Sequence, residues 1–587
     1  MPEIQPRTGG GLGGGRSFLT ASILLSAVLY CCTALLGVWA AYDRPVALGR
    51  LALLMVGLAL ALIICWVGRL AGERGLALLG LACALLAGAV ACYFILTYDW
   101  QKSSLIKLPF LYAAGRWIQS HRPGLPVSED IHTNVAAGAL IVLVSLGAGG
   151  VIYARRHRWP SPISAAGLAA LAAGVTALVL TMSRGAWLGL GAGCVVAATL
   201  ATRQSSPHAG LLETKDRPGK TRLLDGLLLL AGLLVGVLLL LGLAPPAALQ
   251  FVGDASAASR PQMWRWALDI IGDQPFTGSG LGSTMMVLST YVLMLHVGFT
   301  NHVHNLFLQI AVEQGLPGLI AFLAMAGVAI VSLRRSFIAR GPTPMMVCAA
   351  AALTAMLIHG LVDSGLHMSR LAPLAFLPFG FAWGLPSSPP VWRPSPALRI
   401  AALGTGVLLL VALLLPPTRA AVLTNLGAVA QTRAELSYYV WPQTPIQDAL
   451  RRSKDVDLEP AISYYRAALA LAPGLPSANR RLGQVELSQG DTEAAGKHLL
   501  AAYRAAPDQW ATRFLLGEAE AVSGRIDQAV ALWSTLDREA WRDTEGVGRL
   551  AFGLRSWWYG AINEPEKAQW LTEVLRRVEA ARPVKRH

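Results

Sequence analysis

The sequence predicts an all-α polytopic membrane protein of about eleven transmembrane helices, followed by a C-terminal helical-repeat tail. Three observations predict it. Of the 587 residues, 54% are apolar and 14% are charged, and the mean hydropathy is +0.49, whereas an ordinary soluble domain carries about 25% charge. That balance excludes a soluble enzyme. Apolar runs of the roughly twenty residues a bilayer core demands of a helix recur along the first 417 residues. Beyond them the composition turns to Ala, Leu, Arg and Glu, and the sequence repeats itself at an offset of 34.

The apolar runs lie near 18–42, 47–68, 75–97, 134–153, 162–182, 186–201, 223–244, 305–332, 342–366, 371–388 and 399–416. The first follows a short tail at 1–17 and lacks a small-residue cleavage site, so it reads as an uncleaved anchor rather than a signal peptide. Net charge is +15, but the first 417 residues hold 27 Lys and Arg against 14 Asp and Glu, while the remainder holds 22 against 20. The basic excess therefore belongs to the hydrophobic part, as cytoplasmic loop charge rather than as a nucleic-acid surface. With the N-terminus inside, the clusters at Arg7 and Arg16, Arg69 and Arg74, Arg155 to Arg158, Arg203 to Arg222, Arg334 to Arg340, and Arg393 and Arg399 all fall on the cytoplasmic side. An odd number of spans then sends the tail, 418–587, to the outer face, leaving 18–417 as the membrane domain. All seven cysteines sit inside apolar runs with no CxxC pair, which disfavours both disulfides and zinc sites.

Two outer segments, 99–133 and 245–304, are too long to be turns, and long ordered loops tend to carry function. In the tail, Pro473 recurs as Pro507, Leu482-Gly483 as Leu516-Gly517, Gly490 as Gly524 and Ala495 as Ala529. That pattern resembles the tetratricopeptide repeat, a helical hairpin that must stack on neighbours to bury its apolar face. The tail reads as a surface that holds a partner or its own membrane domain, without a catalytic constellation.

Four clusters can carry chemistry. Arg184 stands in Thr181-Met-Ser-Arg-Gly-Ala-Trp187 between two spans with almost no loop, where an unpaired charge costs several kcal/mol, which marks it as an anion-binding candidate over the alternative of snorkelling to head groups. Arg260 precedes a helix expected around Met263 to Ile271, with Pro261 at its first position, so its guanidinium adds to the anion-favouring field of a helix N-terminus. Gly278, Gly280 and Gly282 superficially suggest a dinucleotide loop, but no strand precedes them, and they read as a compact flexible turn. His304, flanked by His302 and by Asn305 as a helix N-cap, opens the eighth span, and an imidazole takes a proton near neutrality. Metal binding by His302 and His304 is weak, because no carboxylate is near in sequence, and no cofactor is called for. Glu313, deeper in the same helix, reads as internally hydrogen-bonded. His359 and Asp363, four apart, share a helical face, where they neutralise each other, orient a base or hold the acceptor. Under a topology assigned without them, Arg184, Arg260, His304 and Asp363 all map to the outer interface: two cations for an anion, and one titratable base. A phosphate or pyrophosphate on a lipid is the natural ligand of such a place.

The strings LTMSRGAWLGL, RPQMWRWALDIIGDQPFTGSGLG, HVHNLFLQIAVEQGLPG and LIHGLVDS, in that order with a large outer loop before the third, resemble the O-antigen ligase and polymerase superfamily over 134–387. The resemblance implies a bacterial inner-membrane enzyme without cofactor or metal, which moves a glycan from undecaprenyl pyrophosphate to an acceptor hydroxyl with inversion. It assigns Arg184 and Arg260 to the pyrophosphate and His304 to the role of general base. The acceptor divides the superfamily into lipid A core ligases, polysaccharide polymerases and protein O-oligosaccharyltransferases. A repeat tail departs from the shorter ligases and offers a site for a protein or polymer partner. A transporter or a non-catalytic scaffold is the alternative from another class. Internal two-fold repeats in the spans would favour the transporter, and tolerance of Arg184 and His304 loss would favour the scaffold.

Overall fold

The computed structural model describes residues 14–101, 109–122, 132–202, 260–292, 302–386, 414–439, 446–540 and 547–580, with a few isolated positions between them, and its regular elements are helices. In the membrane part these are α1 (Gly14–Ala40), α2 (Arg44–Thr97), α3 (Pro109–His121), α4 (Thr133–Arg156), α5 (Ser161–Leu180) and α6 (Arg184–Thr202), followed by α7 (Arg260–Asp273), α8 (Thr284–Val292), α9 (Leu306–Arg340) and α10 (Pro344–Gly360). A broken segment follows, made of α11 (Gly365–Met368), a 3₁₀ turn (Ala372–Phe376) and α12 (Leu377–Gly384). Six helices among the described residues are long and apolar enough to cross a bilayer, and α10 is a shorter apolar one. The spans expected near 223–244 and, for the most part, 399–416 lie outside the described residues.

At 54 residues, α2 would run about 81 Å as a straight helix, far beyond a hydrocarbon core of about 30 Å. It contains both the second and third expected spans. They meet at Gly72, whose backbone (φ 63, ψ −149) breaks the helix in a region that side-chain-bearing residues avoid. The expected tenth span, 371–388, is not one helix. Pro373 and Pro378 each remove a backbone donor, and the chain there is the 3₁₀ turn and the eight-residue α12. The ninth span, expected over 342–366, is shorter as well, ending at Gly360.

Helix α4 is apolar on all sides, and it is correspondingly buried on nearly every side, from Val135 to Ala154. Leu25, Trp66, Leu70, Ile320 and Ile338 are exposed on the outside of the bundle, as side chains that face lipid are in a membrane domain. Helix α6 approaches α10 along Gly189 and Gly193: a Cβ at these positions would stand 2.6 Å from Ala355 O and 2.7 Å from Ala351 O. Close backbone approach through small residues replaces the hydrophobic effect as the packing device in lipid.

The glycine turn after α7 is compact but not flexible. It is seated in a break of α9 at Gly315 (φ 71), two residues before Pro317. There Ser279 N donates to Val312 O at 2.7 Å and Leu316 N to Pro275 O at 2.7 Å, so the loop satisfies backbone groups that the break would leave unpaired. Glu313, fully buried, accepts from Gly282 N at 3.1 Å and from Thr284 Oγ1 at 3.3 Å. Gly278, Gly280 and Gly282 have φ of 64, 103 and 73, and a Cβ on Gly278 would stand 2.5 Å from the Glu313 carbonyl carbon. Packing, rather than mobility, accounts for the three glycines.

The tail consists of α13 (Pro416–Ser437), α14 (Gln447–Arg452), α15 (Glu459–Leu471), α16 (Pro476–Gln489), α17 (Thr492–Ala505), α18 (Trp510–Val522), α19 (Ile526–Ala540), α20 (Val547–Ala561) and α21 (Pro565–Ala580). Helices α16 and α18 begin at 476 and 510, and α17 and α19 at 492 and 526, the same offset of 34 that the sequence carries. Successive helices pack as pairs, with α16 on α17 and α18 on α19. The repeated Gly483 and Gly517 admit the second helix of each pair, packing against Leu499 and Trp533 respectively. The apolar side of α7, with Met263, Trp264, Ile270 and Ile271, shares one core with Leu487, Trp510 and Phe514 of the tail.

Candidate functional site

Four chain segments far apart in sequence meet at the turn after α10. The turn itself is built locally: Leu361 N donates to Ile358 O, and both Val362 N and Asp363 N donate to His359 O, after which Asp363 Oδ1 accepts from Gly365 N at 2.7 Å. Asp363 therefore lies beyond the helix, not on its face as the four-residue spacing suggests. The turn still leaves its Oδ1 4.0 Å from His359 Nε2. On its other oxygen, Asp363 accepts from Asn134 Nδ2 at 2.9 Å, and His304 Nδ1 stands 3.4 Å away.

His304 takes a left-handed backbone (φ 52), a conformation non-glycine residues hold only when the surroundings fix it. The residues on either side supply that constraint. Val303, fully buried, donates its N–H to Gln309 Oε1 at 3.0 Å and accepts from Trp264 Nε1 at 3.0 Å. Asn305 caps α9 as expected, accepting from Phe307 N and Leu308 N at 3.0 Å each, while its Nδ2 reaches Leu361 O at 2.9 Å. The imidazoles of His302 and His304 meet edge to face with centroids 4.2 Å apart.

Arg260 is the first residue of α7, and its Nη1 donates to Val362 O at 3.1 Å. Arg184 is the first residue of α6 and is half-buried. Its neighbour Gly185 lies so close to the same turn that a Cβ there would stand 2.6 Å from Val362 Cγ2 and 3.2 Å from His359 Nδ1. The structure thus brings Arg184, Arg260, His302, His304, Asn305, His359 and Asp363 to one place. Two cationic helix N-termini and one hydrogen-bonded imidazole–carboxylate pair border it.

Burial alone would raise the Asp363 carboxyl, but the His304 hydrogen bond and the neighbouring imidazoles hold it below the usual carboxylate range, so it is an anion at neutral pH. Burial, reinforced by His304 and Arg260, lowers His302 to about 4 against the opposing pull of Asp363, which leaves it neutral.

His302, His304 and Asp363 offer three donor atoms within 4.8 Å of one another. The carboxylate that the sequence lacked nearby is supplied from 59 residues downstream. The donor types suit zinc. Asp363 already accepts from Asn134 and Gly365, and Arg260 reaches the adjacent Val362 carbonyl, so a dication there would compete with these donors and meet a neighbouring like charge.

Three participants escaped the sequence reading. Asn134 holds the carboxylate, and Gln309 and Trp264 fix Val303. The one available signal was a polar residue at the very head of an otherwise apolar helix, which applies to Asn134 and Gln309; nothing marked Trp264.

Residues 168–323 match the Wzy_C family model, O-Antigen ligase. The match takes in Arg184, Arg260, His302, His304 and Asn305 and stops short of His359 and Asp363, which the fold alone brings to the site. A comparison with curated proteins gives no match. At the level of the family, the O-antigen ligase match supports a multi-pass inner-membrane enzyme of the glycosyltransferase type, in the O-antigen ligase or polymerase class.

Proposed function

We propose that the chain is a metal-independent, inverting glycosyltransferase of the O-antigen ligase type, moving a glycan from undecaprenyl pyrophosphate to an acceptor hydroxyl at the outer leaflet of the cytoplasmic membrane. The observation that carries this reading is the convergence of Arg184, Arg260, His304 and Asp363 on the turn after α10. The bias of basic loops favours the outer face for that turn, and the core that α7 shares with the tail puts the tail on the same side in this reading.

The chemistry follows from the groups. His304 takes the proton of the acceptor hydroxyl, and Asp363 orients the imidazole from the opposite side. The acceptor oxygen forms its bond to the anomeric carbon as the bond from that carbon to the pyrophosphate oxygen breaks, with inversion in a single displacement. The electron pair leaves with undecaprenyl pyrophosphate, and the proton on His304 passes to solvent or to the leaving group. Arg184 and Arg260 offset the charge that grows on the pyrophosphate, the part a metal plays in many glycosyl transfers. Such preorganised stabilisation is the largest single contribution to rate in comparable sites.

The test is turnover by purified, reconstituted protein with an undecaprenyl-pyrophosphate-linked glycan and a hydroxyl acceptor, with EDTA present throughout. Wild type forms product and His304→Ala forms none while remaining folded. Wild-type turnover by His304→Ala, or loss of wild-type turnover to EDTA, would refute the assignment.

A further inference from the structure

Helix α7 carries its two ends into different parts of the molecule. Its first residue, Arg260, bonds Val362 O at the site. Its last, Asp273, is 1% exposed and is held by the tail and by α8: Arg481 Nε of the tail donates to Asp273 Oδ2 at 2.8 Å, and Arg480 Nη2 of the tail and the Tyr291 hydroxyl of α8 bond the same oxygen. Both guanidiniums are buried and both lie against the Tyr291 ring. Around this clamp, Gln509 Nε2 donates to Asp269 Oδ1 at 3.2 Å, and Asn425 Oδ1 accepts from Phe276 N at 2.9 Å and Thr277 N at 3.2 Å. The apolar side of α7 finishes its core on Leu487, Trp510 and Phe514. A helix of 14 residues is a rigid rod of about 21 Å. Fixing its far end therefore fixes the direction in which Arg260 enters the site and the point at which Trp264 meets Val303, the residue before His304.

We infer that Asp273, Arg480 and Arg481 are positioning residues for the transfer reaction, and that through them the repeat tail is a working part of the anion site rather than only a surface for outside partners. This rests on the proposed reading of Arg260 as a pyrophosphate ligand. The tail acts at a distance of one helix length, without touching substrate, by holding the rod that presents the guanidinium.

The test is a double-mutant cycle on the full chain in lipid nanodiscs, with the lipid-linked glycan donor varied and kcat and KM read separately. Asp273→Asn and Arg481→Gln each raise donor KM and lower turnover, with Arg481→Lys restoring part of it. Adding Arg260→Ala to Asp273→Asn costs at least about tenfold less than Arg260→Ala costs in wild type, because the two act through one element. The triple variant Asp273→Asn/Arg480→Gln/Arg481→Gln, which removes the three buried charges of the clamp together, keeps the measurement meaningful should a single variant fail to fold. If folded clamp variants turn over as wild type while Arg260→Ala is inactive, or if the losses multiply fully, the clamp inference is overturned and the site stands. If Arg260→Ala alone is without effect, the reading of the site falls, and the clamp's role with it.

Discussion

His304 Nδ1 stands 3.4 Å from Asp363 Oδ2, across 59 residues of chain, and the same carboxylate is anchored from two other directions by Asn134 Nδ2 and Gly365 N. The bond to Asp363 uses Nδ1, and the proposed proton transfer assigns the acceptor to the other nitrogen, Nε2. Asp363→Asn keeps the shape and removes the charge, and it should lower kcat by about 10² with little change in acceptor KM. A kcat within twofold of wild type would show that Asp363 does no more than close its turn.

Arg184 and Arg260 both begin helices at the site, but each also presents a planar fork that a lysine lacks. Arg→Ala at either position should cost about 10² to 10³ in turnover, the range seen for the loss of one preorganised donor, and Arg→Lys distinctly less. Equal losses for Ala and Lys would mean that geometry alone, and not charge, matters there. Initial rates across donor concentrations decide it.

Gln309 links the backbone of Val303 to Thr284, whose hydroxyl in turn donates to Glu313. Gln309→Leu preserves bulk but leaves the buried Val303 N–H unpaired, at a cost of about 1–3 kcal/mol to the conformation that holds His304. The expected outcome is a kcat reduced about tenfold or more, with overall folding retained by circular dichroism. Unchanged kcat would remove Gln309 from the account of the site.

His302 is lowered to about 4 in the folded protein, against about 6.5 in the unfolded chain. Between those values the unfolded state binds more protons, so stability contributed by His302 is complete above about pH 6.5 and is lost as pH falls towards 4. The melting temperature of detergent-purified protein should drop from pH 7 to pH 5 more steeply for wild type than for His302→Gln. Parallel slopes would place the acid sensitivity elsewhere.

Much of this site was legible in the sequence because its charged residues stand out against an apolar background. Arg184 and Arg260 fall where α6 and α7 begin, and the Asn305 cap was readable from its place before an apolar run. What escaped was pairing at long range. Asn134 meets Asp363 across 229 residues and Arg480 meets Asp273 across 207, and no local pattern records such encounters. Helix interruptions were also under-read. The 371–388 run is apolar enough to span, and hydropathy outweighed the two prolines that break it. The glycine turn reads as flexible in the sequence because its partner, the break at Gly315, lies more than thirty residues away inside what reads as a continuous helix.

The positive φ of His304 has a practical consequence for anyone wishing to see the donor in place. Most replacements at that position would be strained there, while Val303 and Asn305 remain held by their own hydrogen bonds. Asparagine tolerates the left-handed region well, so on the proposed role of His304 the variant His304→Asn is expected to keep the local shape and lose turnover. Loaded with unreacted lipid-linked glycan, it is the form in which a trapped Michaelis complex becomes accessible to cryo-electron microscopy.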